Sequence, residues 1–353
     1  MSKTRSKAMM ALSLCGVLAL AGCAGTVKSN AGNSGGATPE KVSGSVVKIS
    51  MADNLTSDDP ITMALDSFAA AVKKKSHGTV DITVYPNATL ATENNIVSVL
   101  RSQTVDMGIA GANYWTTVIP GSDALILPYL ATTWPQVKAI ADSSKLNSYL
   151  RSMYGTQNVH MIANLPNTWK DFISSSPVAK PSDMNGMKVR TAGGAEVQVL
   201  QALGANPVTL DSTDIYEGLL THTISGVDVS ASQMQQLKFY EVAKNFTDMR
   251  LGIGWVPLFI TDKAWAELSP SQRTLLNTEG TVMVNNYLKT APKNTDNEIA
   301  QLKQAGTKII PIANYAPWEK LVDPVVKKYG QTYVSAGRII SLAEAAAKSA
   351  PKN

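Results

Sequence analysis

The 353-residue sequence is poor in the residues most often used for chemistry, with two cysteines, three histidines and aromatics at 6%. So few cysteines exclude a disulfide-dense scaffold. His77, His160 and His222 are far apart and none belongs to an H-E-x-x-H pair, so no metal spacing is visible. The G-x-x-x-x-G-K-[ST] phosphate loop is absent. No apolar run approaches the roughly 20 residues of a membrane-spanning helix; Ala8 to Leu20 has 13. The chain does have apolar content for a substantial core, with 44% hydrophobic and 17% charged residues.

The net charge of +5 invites a nucleic-acid reading until the cations are located. Lys3, Arg5 and Lys7 precede the Ala8–Leu20 run, and Leu20-Ala21-Gly22-Cys23 closes it with small residues. That order is a secretory signal over residues 1–22. Its closing Cys23 resembles a lipobox, in which the peptidase cuts before Cys and the thiol takes a lipid. Cleavage there would leave 331 residues with 29 cations against 27 acids, close to neutral. Cys15 would leave with the signal, so no thiol would remain for a disulfide, redox pair or zinc site. No basic stripe suited to nucleic acid remains. Residues 23–45 read as the lipidated Cys followed by a flexible Gly/Ser/Asn/Thr tether. Gly32-Asn33-Ser34-Gly35-Gly36 matches G-x-S-x-G but lacks the strand and helix a nucleophile elbow needs. An extracytoplasmic protein held to the membrane only by its lipid is expected.

From residue 46 the pattern alternates strands and helices. Val46–Met51 reads as a strand, and Asp59-Pro60 opens a helix ending at Lys73-Lys74-Lys75 and Gly78. Thr79–Tyr85 alternates as a strand, Glu93–Gln103 reads as a helix and Val105–Ala110 as another strand. The rhythm restarts after Asn158, with strands at Val159–Ala163, Met187–Arg190 and Gly226–Val229. Ser269-Pro270 begins a helical region interrupted in pattern near Pro292. This predicts an α/β fold of two lobes, each a mixed, mostly parallel sheet flanked by helices, with a ligand cleft between them. Residues just after strands are then the functional candidates.

Several segments, in order, resemble the substrate-binding protein of tripartite ATP-independent periplasmic (TRAP) transporters, the DctP-type family. Thr79–Pro86 resembles its "G-x-v-x-i-x-v-y-P" strand, and Leu100–Met107 its "x-G-x-v-D" turn. Leu125–Leu130 is similar to "l-P-f-l". Pro181–Arg190 is similar to "p-x-D-l-k-G-l-K-x-R", the most specific piece. Leu203–Val208 with Asp214-Ile215-Tyr216 resembles "l-G-a-x-P-v" and "E-v-Y".

The resemblance implies a receptor, not an enzyme, that closes on a small organic acid and delivers it to membrane permease subunits, with no cofactor and no metal. It implies lobe 1 over residues 46–166 and about 253–290, and lobe 2 over 167–252 and about 291–345. It also implies that Arg190 makes the main carboxylate contact, aided by Lys170, with Glu93 as the family's early acidic position. Where the family reads "G-x-v-D-G-x-E-N", this chain has His222–Val229, so Asp228 replaces Glu and Val229 replaces Asn. The ligand is thereby left open. An ABC-importer receptor, a surface lipoprotein hydrolase and a structural lipoprotein are the competing functions.

The planar guanidinium of Arg190 suits a carboxylate, and backbone N–H groups of Thr191–Gly194 could add to an anion site. Arg190 could equally pair with a local acid. Lys170 sits beside Asp171, and Glu93 could simply favour a helix N-terminus. Asn54 follows the first strand. Asn113 and Tyr114 follow the third strand and should reach the cleft edge. Asp228 offers an acceptor at the strand end. Trp255, in Gly252-Ile253-Gly254-Trp255, is expected near a lobe crossing and chiefly in the core.

Overall fold

Alternating inward and outward side chains over Val47–Ala52 form the first strand, β1. In the computed structural model, residues 42–351 are described. The expected signal, Cys23 and most of the tether lie outside them. The last tether residues do not hang free. Ser43 N–H donates to Ser271 Oγ at 3.1 Å, and Gln272 Nε2 donates to the Ser45 carbonyl at 3.1 Å.

Helix α1 (Pro60–Lys75) begins as the sequence predicts, with Asp59 accepting from Ile61 N–H at 2.8 Å and Pro60 in the first turn. It leads to β2 (Val80–Tyr85), α2 (Ile96–Arg101), β3 (Met107–Ile109), α3 (Trp134–Asp142), α4 (Ser144–Tyr154) and β4 (Val159–Trp169). After one residue, Lys170, the chain enters β5 (Asp171–Ser174) in a different sheet. There follow β6 (Lys188–Thr191), α5 (Ala195–Ala202), β7 (Asn206–Thr209), α6 (Ile215–Leu220), β8 (Gly226–Val229), α7 (Ala231–Gln236), α8 (Phe239–Val242) and β9 (Asn245–Asp248). The chain then returns through β10 (Ile253–Thr261), α9 (Asp262–Glu267), α10 (Pro270–Gln304), β11 (Lys308–Pro311), α11 (Ala316–Thr332) and α12 (Val334–Lys348).

The strands form two sheets, β2-β1-β3-β10-β4 and β11-β9-β5-β8-β6-β7. In each sheet one strand runs against the rest: β10 is antiparallel to β3 and β4, and β5 to β8 and β9. Both odd strands arrive from the other lobe. The crossings lie side by side: Lys170 N–H donates to the Gly252 carbonyl at 2.8 Å, and Leu251 N–H to the Lys170 carbonyl at 2.9 Å. The fold is therefore the two-lobed α/β architecture expected, with one antiparallel strand in each mixed sheet.

The core follows strand periodicity. Phe172 and Ile173, consecutive on β5, face opposite sides of the second sheet and join separate buried clusters. The first cluster is continuous with the first lobe, through Trp115, Phe259 and Leu276.

Three expectations need correction. α10 runs unbroken through Pro292, although proline removes one helical hydrogen bond; its packing on α1 and β4 at one end and α7 at the other spans both lobes. α12 lies on α3 and α4 of the first lobe, so the chain to residue 345 is not all second lobe. α2 starts only at Ile96, which leaves Glu93 in the preceding turn rather than at a helix terminus.

Candidate functional site

β1 and β3 end in turns that carry Asn54, Asn113 and Tyr114, and the turn before α2 carries Glu93. Opposite them, β6 presents Arg190 and β8 presents Asp228, while Lys170 stands in the crossing between lobes. All seven line one cleft between the sheets, enclosing about 100 Å³. That volume accommodates several waters or a small organic molecule. It opens at the carboxyl ends of β6 and β8, where α/β sheets bind ligands.

Arg190 is 6% exposed. Its Nε donates to the Leu210 carbonyl at 2.9 Å, which fixes the guanidinium plane. One Nη2 lies 3.8 Å from Glu93 Oε2, too far for a hydrogen bond, and has no hydrogen-bond partner among the described residues. Glu93 is held by two donors, Asn54 Nδ2 to Oε1 at 3.2 Å and Tyr114 Oη to Oε2 at 2.6 Å. Burial and the adjacent Glu93 push the Tyr114 phenol well above its ordinary range, so it remains a donor. Asn54 and Tyr114 thus position Glu93.

Lys170 does not pair with Asp171 as its sequence neighbour suggests. It forms an ion pair with Glu196 and a second, at 3.4 Å, with Asp228 Oδ2. Asp171 turns away and accepts from Arg250 N–H at 3.0 Å. Asp228 is buried, and burial raises its carboxyl pKa against the opposing pull of Lys170 and Arg190. Its Oδ1 has no hydrogen-bond partner among the described residues.

Two of the N–H groups expected to serve an anion, those of Ala192 and Gly193, are already engaged, as is that of Ala195 just beyond them. Ala192 N–H donates to Glu196 Oε2 at 3.2 Å, Gly193 N–H to Thr191 Oγ1 at 3.0 Å, and Ala195 N–H to Asp123 Oδ2 at 2.7 Å. Asp123, from the first lobe, caps α5 of the second and accepts from Tyr329 Oη at 2.6 Å. Asn94 Nδ2 donates to Asp211 Oδ2 at 2.5 Å and Thr56 Oγ1 to Gln236 Oε1 at 3.1 Å. These bonds hold the lobes closed over the cleft.

Glu196 and Asp123 escaped the sequence reading. Glu196 is visible there as an acid six positions after Arg190, but a helix first turn is an ordinary place for one. Asp123 carries no sequence signal at all. Trp255 is buried as expected and also forms part of the cleft wall, whereas Trp115 packs on Tyr154 and Phe259 in the core. Among the described residues no group of three or more His, Cys, Asp or Glu could hold a metal, and no helix is long and apolar enough to cross a membrane.

Two α/β lobes closed over a cleft with a buried arginine define the class: a two-lobed solute-binding protein. The family model described as bacterial extracellular solute-binding protein, family 7 (DctP), matches residues 51–332, and the chain belongs to that family. It is 24% identical over 250 residues to the 2,3-diketo-L-gulonate-binding periplasmic protein YiaO of Escherichia coli, covering 70% of this chain and 76% of that one. A TRAP periplasmic solute-binding protein from Sulfitobacter with bound β-D-galacturonate superposes with a TM-score of 0.79 at 18% identity, over 84% of this chain and 99% of that one. One from Shewanella oneidensis with bound succinate gives 0.79 at 20% identity, over 86% and 100%. The family is one of binding rather than catalysis, and its location is extracytoplasmic.

Proposed function

We propose that this protein is the solute receptor of a TRAP transporter, that it binds a small organic acid in the interlobe cleft, and that it delivers the acid to membrane permease subunits. Galacturonate, succinate and diketogulonate, named for the relatives above, share only a carboxylate and small size. The observation carrying the reading is the buried guanidinium of Arg190, a residue of the cleft wall, held at Nε and unpartnered at Nη2. A buried charged donor without a partner costs about 1–3 kcal/mol or more, and a ligand carboxylate would remove that cost. Lys170 acts from the crossing, where closure and ligand contact meet. Driving closure from 1:99 to 99:1 needs about 5.5 kcal/mol of differential affinity, within reach of a charged fork contact plus burial of the ligand.

Calorimetric titration of uronates, aldonates, dicarboxylates, 2-hydroxy acids and amino acids tests this directly. At least one should bind the wild type, and Arg190→Ala should weaken it by about 2–3 kcal/mol, roughly 30- to 150-fold. Full affinity in Arg190→Ala would refute the role of Arg190.

The signal and Cys23 complete the proposal: the mature chain is tethered to the membrane through a lipidated Cys23, with the polar stretch after it as spacer. In a bacterial host, the wild type should fractionate with membranes and carry a lipid mass on its N-terminal peptide, and Cys23→Ser should be released. A soluble, unmodified wild type would count against the anchor.

A further inference from the structure

The cleft carries more negative than positive charge. Lys170 and Arg190 face three carboxyl groups, those of Glu93, Glu196 and Asp228. Lys170 is shared between Glu196 and Asp228, and Arg190 stands 3.8 Å from Glu93. One carboxylate is therefore uncompensated. The carboxylate oxygen left without a partner among the described residues is Oδ1 of Asp228, 1% exposed; its Oδ2 shares Lys170, and burial opposes its ionised form, which a cation placed beside Oδ1 would favour. Next to it, Val229 contributes an apolar wall where a polar side chain would have offered a neutral hydrogen bond.

A simple anion would sharpen this imbalance. A monocarboxylate adds a second excess negative charge and a dicarboxylate a third, in a site shielded from water where such repulsion is weakly screened. A ligand with both a carboxylate and a protonated nitrogen adds no net charge. It also satisfies both unpartnered atoms, giving an acceptor to Arg190 Nη2 and an N–H donor to Asp228 Oδ1. We propose that the ligand is a zwitterion of amino-acid type, with its carboxylate on Arg190 and its ammonium on Asp228. This rests on the receptor reading above and narrows its ligand class.

The test is calorimetry of the full mature chain with the standard L-amino acids, with the 2-hydroxy and deaminated analogues of any that binds, and with succinate and D-galacturonate. At least one amino acid should bind, and replacing its ammonium by hydroxyl or hydrogen should weaken binding roughly thirtyfold, about 2 kcal/mol. Asp228→Asn separates the cases by sign. It should weaken the zwitterion by a similar factor, whereas an anionic acid would bind the variant as well as or better than the wild type. Should Asp228→Asn fail to fold, the analogue series on the wild type decides alone. Tight binding of succinate, galacturonate or a hydroxy acid, with amino acids equal or weaker, overturns the zwitterion and leaves the receptor reading intact. No binding by any member overturns both.

Discussion

Arg190 and Lys170 carry the same charge and do different work. The guanidinium is fixed by the Leu210 carbonyl and offers its remaining edge to the cleft, a geometry that a lysine ammonium lacks. Arg190→Lys should therefore lose most of the affinity of Arg190→Ala, about tenfold or more, because it keeps the charge without the fork. Near-wild-type titration of Arg190→Lys would reduce the contact to a point charge. Arg190 was legible because a strand-ending arginine suits an anion and the segment before it resembles a family motif. The partners of Lys170 were not legible. Asp171 is adjacent in sequence, but strand alternation turns it to the far side of β5, and Glu196 and Asp228 reach Lys170 through tertiary folding alone.

Among the elements, α5 best shows how closure is built. Its first N–H is capped by Asp123 from the other lobe, and Gly194, its N-cap, has φ +68° and ψ −147°. A Cβ at Gly194 would press on Asp123 Oδ2 and impose a backbone conformation that only glycine readily adopts, costing about 1–3 kcal/mol. Gly194→Ala should lower both Tm and ligand affinity, since the capped arrangement belongs to the closed lobes. Thermal unfolding with and without a bound acid checks it, and an unchanged ligand-induced shift would detach α5 from closure. The sequence showed that a strand leads through Thr191-Ala192-Gly193-Gly194 into this helix. It could not show that side chains of the protein already engage the N–H groups of Ala192, Gly193 and Ala195, because one of those side chains, Asp123, lies 72 residues from its partner. Pro292 misled for a related reason: local propensity marks a break, but α10 is packed against both lobes along its length and packing outweighs the lost bond.

At the scale of the molecule, alternation of strands and helices was enough to read two α/β lobes, whereas the exchange of β5 and β10 between lobes depends on pairings that no local pattern encodes. The contacts between lobes also include acids. Burial raises the carboxyl pKa of Asp59, the N-cap of α1, and of Glu298 on α10 to about 7 each, with the charge of neighbouring carboxylates adding to the rise at Asp59 and that of Asp59 to the rise at Glu298. Asp53 is raised to about 6 and Asp171 to about 7 for the same reason. In the unfolded chain these groups release their protons near pH 4. Between about pH 4 and 7 the folded state therefore binds more protons than the unfolded one, and stability falls as pH rises through that window. His160, whose pKa burial lowers, opposes this where it protonates. Tm should be higher at about pH 5.5 than at pH 8, and Asp59→Asn with Glu298→Gln should flatten the difference while keeping an N-cap on α1. A Tm that rises toward pH 8 would contradict this.

The most direct measurement is a crystal structure with whichever acid of the titration panel raises Tm most. Its carboxylate should lie in the cleft within about 3 Å of an Arg190 Nη atom, with the Asn94–Asp211 and Asp123–Ala195 bonds formed across the closed lobes. An acid bound outside the cleft, or bound within it with its carboxylate turned away from Arg190, would contradict the assignment.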